Sequence, residues 1–196
     1  PDIATLSLGI EVQAATVSEA QTQATEAMNK VMTALTDNGV AKKDIQTQRL
    51  SIYPVTKWVK ESEEQIVIGY RITNMVTAKI RDIDKTGTII DAVARAGGDF
   101  TQINNIGFSI DDPSKYYEEA REKAMANAIA KARQLAKLSD VTLGKPTYIS
   151  ESVYMPSPIF RGVAEAAPKL APAETPISPG EMKISLTVQV TYAILD

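Results

Sequence analysis

The stretch Asp112–Leu138, DPSKYYEEAREKAMANAIAKARQLAKL, divides the chain into a βαββαβ half before it and a strand-rich half after it. It reads as one long helix. Asp112 offers a side-chain acceptor to the unpaired N–H groups of the first turn, and Pro113 sits where a missing N–H costs nothing. Ala120, Ala124, Ala128, Ala132 and Ala136 recur at every fourth residue. That spacing keeps them in one narrow stripe, which a sheet can cover at short distance.

On the N-terminal side, Leu6, Leu8, Ile10 and Val12 alternate with Ser7, Gly9, Glu11 and Gln13, the period of a strand with one wet face. Thr16 and Glu19 form a capping box for a helix that carries Ala20, Ala24, Ala27, Met28, Val31 and Leu35 inward and stops at Gly39. Ile45–Trp58 and Gln65–Ile80 then read as an antiparallel hairpin around the charged turn Lys60–Glu64. Asp82 or Asp84 is expected to cap a short helix with Ile83, Ile90 and Val93 inward. Gly97 and Gly98 end it before a strand from Phe100 to Ile110. The order βαββαβ is that of the split βαβ, ferredoxin-like arrangement.

After the long helix comes a strand from about Val141 to Val153. Six of the ten prolines then fall between Tyr154 and Gly180, so this part is expected to be neither helix nor ladder strand. Residues 155–179 read as a proline-rich arm or flexible loop. Met182, Ile184, Leu186, Val188, Val190, Tyr192 and Ile194 form a last, regularly alternating strand, for which strand one is the expected partner. The fold class is thus α+β, in the order βαββαβ-αββ. The sheets are expected to be mainly antiparallel, with three helices packed on one face. The whole chain, 1–196, reads as a single domain, divisible into subdomains of about 1–110 and 111–196.

Composition narrows the function. The chain has 196 residues, 44% hydrophobic and 23% charged, with net charge −3 and pI near 5.2, so it offers no basic surplus for nucleic acid. It contains neither Cys nor His, which removes disulfides, thiolate nucleophiles, Cys/His metal sites and an imidazole base. No apolar run reaches the roughly 18 residues of a membrane span. The chain begins at Pro1, and removal of a signal peptide ahead of it is expected.

The acidic pairs Asp82/Asp84 and Asp111/Asp112 stand where helices begin, so capping accounts for them better than a metal or a shared proton. Glu119 and Lys123 are an exposed i, i+4 pair on a helix whose basic residues are interleaved with acids. Gly97-Gly98-Asp99 lacks the Lys and Ser/Thr of a phosphate loop. No catalytic residue, cofactor or metal is therefore assigned. Tyr53, Trp58, Tyr154 and Phe160 are candidates for a contact surface, because aromatics concentrate at interfaces; packing under their own loops is the plainer alternative.

The order and spacing of several short motifs resemble a known family. They are Pro1-Asp2, Gly39-Val40, Asp44-Ile45-Gln46-Thr47, Leu50-Ser51-Ile52-Tyr53-Pro54, Gly69-Tyr70 with Asn74, and Gly98. Phe108-Ser109, Glu119-Ala120-Arg121, Lys131-Ala132, Leu135-Ala136, Leu143-Gly144 and Pro179-Gly180-Glu181 follow in the same order. Along nearly its whole length the chain is similar to the SIMPL-domain family of periplasmic and secreted immunogenic proteins. The resemblance implies an extracytoplasmic, cell-envelope protein of α+β fold with a tendency to homo-oligomerise and no agreed catalytic activity. It supplies no catalytic residues. It also implies a further strand ahead of Pro1-Asp2, absent from this sequence.

Two functions are expected from this reading. The first is a non-catalytic envelope protein, not an enzyme, acting through homo-oligomeric assembly or protein interaction by its arm and sheet edges. The alternative is a small-molecule or peptide-binding module with Tyr70, Arg71, Asn74 and Arg121 as polar contacts.

Overall fold

The computed structural model describes residues 1–60, 63–159 and 175–195, with backbone alone at 155–159. Its elements run β1 (Ile3–Ala14), α1 (Val17–Asp37), β2 (Ile45–Val59), β3 (Glu64–Ile80), α2 (Thr86–Gly97), β4 (Thr101–Ser109), α3 (Ser114–Leu138), β5 (Thr142–Ile159) and β6 (Glu181–Leu195). The α+β class and the βαββαβ-αββ order are those expected. Among the described residues the strands form two antiparallel sheets, one ordered β2-β3-β1-β4 and the other β5-β6. The first is the ferredoxin-like order. Each sheet carries its own helices: α1 and α2 lie against the first, α3 against the second.

The chain divides into two compact units. One is built from Pro1–Ser109, joined by the described residues 175–179; the other holds α3, β5 and β6. In the first unit the alternation of β1 places Leu6, Leu8, Ile10 and Val12 at 0–1% exposure. Above them lie Ala20, Ala24, Ala27, Met28, Val31 and Leu35 of α1, all six inward-facing as their spacing requires. Ile72, Val76, Ala78 and Ile80 of β3, with Ile89 and Val93 of α2, complete this core.

The helix ends explain the boundaries. Thr16 accepts the N–H of Glu19 at 3.2 Å, and Gly39, at φ +90°, takes the left-handed conformation that stops α1. Gly97 closes α2 against the core: a Cβ there would strike Thr101 Oγ1 and stand 2.9 Å from both Ile10 Cδ1 and Val31 Cγ2. The expected Asp82 or Asp84 cap on α2 is not formed. Asp82 instead pairs with Lys85 at 3.1 Å, because a 3₁₀ turn, Ile83–Lys85, precedes the helix and Thr86 Oγ1 donates to Ile83 O at 2.7 Å.

Two further expectations are corrected. β6 pairs with β5, not with β1, because β1 is already bonded to β3 on one side and to β4 on the other. Alternation identifies a half-buried strand but not its partner. Furthermore, β5 runs through Pro156 and Pro158 to Ile159, past the expected end of the strand. A two-stranded sheet leaves β5 an unpaired side, where a residue without N–H breaks no ladder bond, and the register shifts between Tyr154 and Ser157.

In the second unit Asp112 Oδ1 accepts the N–H of Ser114 at 3.0 Å and starts α3. The alanine stripe does face the sheet. Ala136 is buried, whereas Ala124, Ala128 and Ala132 border a groove of about 400 Å3 completed by Leu135, Leu186, Val188 and Val190. The stripe is therefore tight only at its C-terminal end.

Two expected outcomes follow from this packing. Leu8→Ala should lose roughly 2–5 kcal/mol of stability in urea titration, the cost of an unfilled cavity at a fully buried site. Ala136→Leu should cost about 1–3 kcal/mol by overpacking, while Ala128→Leu, with space before it, should cost less. Equal losses for the two alanine variants would show that the groove is closed in solution.

Candidate functional site

The face of the four-stranded sheet opposite α1 and α2 carries a polar row set by register. Gln13, Arg71 and Tyr53 stand side by side on β1, β3 and β2, and Glu11, Thr73 and Ser51 occupy the next row on the same face. Arg71 Nη2 donates to Gln13 Oε1 at 3.1 Å, and Thr73 Oγ1 donates to Glu11 Oε2 at 3.3 Å. The guanidinium lies 6.0 Å from the centre of the Tyr53 ring, and its Nε is 3.7 Å from Glu11 Oε1, too far for a hydrogen bond. Arg71 Nε and Ser51 Oγ are both buried without a hydrogen-bond partner, two of the three such side-chain atoms among the described residues. Unpaired buried polar atoms are costly, and these two stand in neighbouring rows of the same face.

The other expected contact residues are distributed elsewhere. Tyr70 and Asn74 share the parity of Ile72 and so point to the opposite face of β3 from Arg71. Arg121 lies in the second unit, where Nε and Nη2 grip Glu151 at 2.6 and 2.9 Å, tying α3 to β5. Of the four, only Arg71 belongs to the polar row. Among the aromatic candidates, Tyr53, Trp58 and Tyr154 are exposed, and Phe160 falls outside the described residues.

The exposure around Trp58 continues along the hairpin. Leu50, Ile52, Ile66, Val67 and Ile68 are exposed with it, Trp58 at 59% and Leu50 at 64%. Among the described residues β2 is moreover an outer strand, with one side unpaired. Alternation correctly gave these residues as strand; it could not show that α1 and α2 cover only part of the hairpin's length.

Charge is used structurally in several places. Arg81 donates from both Nε and Nη2 to Asp44 at 2.9 Å, and this bond holds the Asp44 carboxyl below its ordinary pKa. Glu151 is lowered by Arg121, and Asp112 by the hydrogen bonds from Ser114. Among the described residues no group of three or more acids is placed to hold a metal ion, and none of these acids is poised near neutral pH.

Residues 1–192 match the SIMPL family, described as "Protein of unknown function (DUF541)". The chain belongs to the SIMPL family. It is 35% identical to the 26 kDa periplasmic immunogenic protein of Brucella melitensis over 204 aligned residues, covering 99% of this chain and 79% of that protein. It is 34% identical to the uncharacterized protein YggE of Escherichia coli K12, covering 86% of this chain and 68% of the relative, and 30% identical to YggE of Edwardsiella ictaluri. In this SIMPL chain the motif Asp44–Thr47 supplies the carboxylate gripped by Arg81, and Leu50–Pro54 supplies Ser51 and Tyr53 of the polar row.

The Asp44–Arg81 pair gives a pH test. Because the Asp44 pKa is lower folded than unfolded, its stabilisation is complete above the unfolded value of about 3.9 and is lost as pH falls through the folded one. Asp44→Asn should therefore lower Tm at neutral pH, and the gap from wild type should narrow as pH falls below about 4. A gap that stays constant in acid would show that the pair contributes nothing through charge.

Proposed function

We propose that this SIMPL-family chain is a non-catalytic, extracytoplasmic cell-envelope protein that works by assembling with copies of itself. The location rests on the family and on the Brucella relative, whose name places that relative in the periplasm. The observation that carries the assembly reading is the apolar hairpin: Leu50, Ile52, Trp58, Ile66, Val67 and Ile68 are exposed on the two faces of β2 and β3, beside the edge of β2 that is open among the described residues. Exposed apolar side chains next to unpaired strand N–H and C=O groups are what strand addition uses. Charge favours it as well, since β2 carries Arg49 and Lys57 and no acid, which discourages random edge pairing without blocking a matched partner.

Trp58 is the sole tryptophan and reports on this surface directly. On concentration from nanomolar to micromolar, its emission should shift to the blue as light scattering rises above the 21.2 kDa of one chain. The Leu50→Lys, Ile68→Lys double variant should remain at that mass with red-shifted emission. A wild type that is monomeric at micromolar concentration would overturn the reading.

A second reading, a small-molecule or peptide-binding module, draws support from Arg71 Nε and Ser51 Oγ, buried without a hydrogen-bond partner on one face of the sheet, with the guanidinium by the Tyr53 ring. A ligand there should raise Tm with the logarithm of its concentration once that exceeds Kd, and Arg71→Ala should abolish the rise.

A further inference from the structure

Strand β6 has a partner on one side only. Among the described residues β5 and β6 pair with each other alone, so β6 presents unpaired N–H and C=O groups along its outer side, and Ala136 is the only hydrophobic residue buried in α3, β5 or β6. The groove of about 400 Å3 between α3 and β6 follows that outer side. No residue of β5 lines it, although Ile149, Glu151 and Val153 stand opposite Val190, Val188 and Leu186 on the helix-facing side of the sheet. Thr187 does line it from the other parity, which puts the β6 backbone edge in the wall. Lys131 is the one charged residue of the lining, set among Ala124, Ala128 and Leu135, and it forms no ion pair among the described residues. At about 100° per residue, Glu118, Glu119 and Glu122 lie about 120–180° round the helix from it, and β6 from Met182 to Leu195 carries Lys183 and no acid.

On the paired side of β6 the fold shows what fits beneath α3. There β5 presents Ile149, Glu151 and Val153 at alternate positions, and Arg121 of α3 holds Glu151 by two hydrogen bonds, of 2.6 and 2.9 Å. The outer side repeats the receiving half of that arrangement: an apolar wall, a strand edge and a cation on α3. From this we infer that α3 and β6 bind an extended peptide segment of another protein, which adds to β6 as a third strand and sets a carboxylate against Lys131 between two apolar side chains. From Ala124 to Leu135 the helix rises roughly 16 Å, the length of about five residues of strand. Three of the five face α3, the outer two apolar and the middle one acidic. The ladder bonds to β6 are indifferent to sequence, so the pattern apolar-x-acid-x-apolar sets the selectivity. With Lys131 in one wall, Lys183 further along the other and no acid on either, the groove attracts a carboxylate and repels a basic strand. A second copy suits it less, because its own strand of this pattern, β5, has the carboxylate of Glu151 already held by Arg121.

The probe is a fluorescein-labelled, end-capped pentapeptide with the β5 pattern, Ile-Ser-Glu-Ser-Val, titrated with the full chain and read by anisotropy. It should bind saturably and in a salt-dependent way. The same peptide with Lys in the middle, or with its backbone N-methylated to prevent ladder bonds, should bind several-fold more weakly. In Lys131→Glu the preference should reverse, the Lys peptide binding better than the Glu peptide, which a merely structural lysine would not produce. Ala128→Leu, which fills the groove, should weaken binding of the Glu peptide, with circular dichroism to confirm that both variants are folded. No saturable binding of the Glu peptide at millimolar concentration, or a preference untouched by Lys131→Glu, would overturn the site. Light scattering on the same proteins separates this inference from the assembly reading. Loss of mass in Lys131→Glu or Ala128→Leu without peptide binding assigns the groove to a second copy and overturns the inference, whereas a monomer that binds the peptide removes assembly and leaves the groove standing.

Discussion

Strand β1 is saturated, and much of the first unit follows from that. Its two sides are bonded to β3 and β4, and one of its faces is sealed by α1. A strand in that position cannot lend an edge to anything else. The later strands satisfy backbone groups on each other instead, and β5 and β6 form a separate hairpin sheet with α3 as its cover. The remaining open edges of the first sheet belong to its outer strands, β2 and β4.

The two faces of that sheet are used differently. Where α1 and α2 lie, the residues are aliphatic and close-packed, and Gly97 is small because Ile10 and Val31 already occupy the space. On the opposite face polar side chains meet across three strands: Arg71 donates to Gln13 and lies by the Tyr53 ring, while its Nε stands 3.7 Å from Glu11 without a hydrogen bond. Beyond the helices the hairpin carries apolar side chains into solvent. The sheet thus changes from a packed core to an exposed apolar hairpin along its own strands, and the carboxylates of Asp44, Glu151 and Asp112 serve two ion pairs and a helix cap.

Much of this was legible before any coordinates. The period-two pattern of β1 and the four-residue spacing in α1 named the core residues one by one, because burial on one face forces those periods. The Thr16–Glu19 cap was legible for the same local reason. The polar row was only half legible. Glu11 and Gln13 were on the wet parity of β1, yet nothing local indicates that Arg71 and Tyr53 stand beside them, since cross-strand neighbours depend on register. The hydrogen bond between Asp91 and Thr175 spans 84 residues and belongs to no motif. Tyr70 and Asn74, expected as contacts with Arg71, lie an odd number of residues from it, and on a strand such residues face opposite ways.

The sequence by itself determined the α+β class, the element order, the family and the inward faces of β1 and α1, since each is written in local periodicity or in short ordered motifs. Tertiary structure alone decided which strands pair, how far β5 extends through its prolines, which part of the alanine stripe is tight, and which polar groups meet. The reason is physical. A side chain's period reports that one face is buried, but the identity of the partner is set by which backbone edges and which volumes remain free once the rest of the chain has packed.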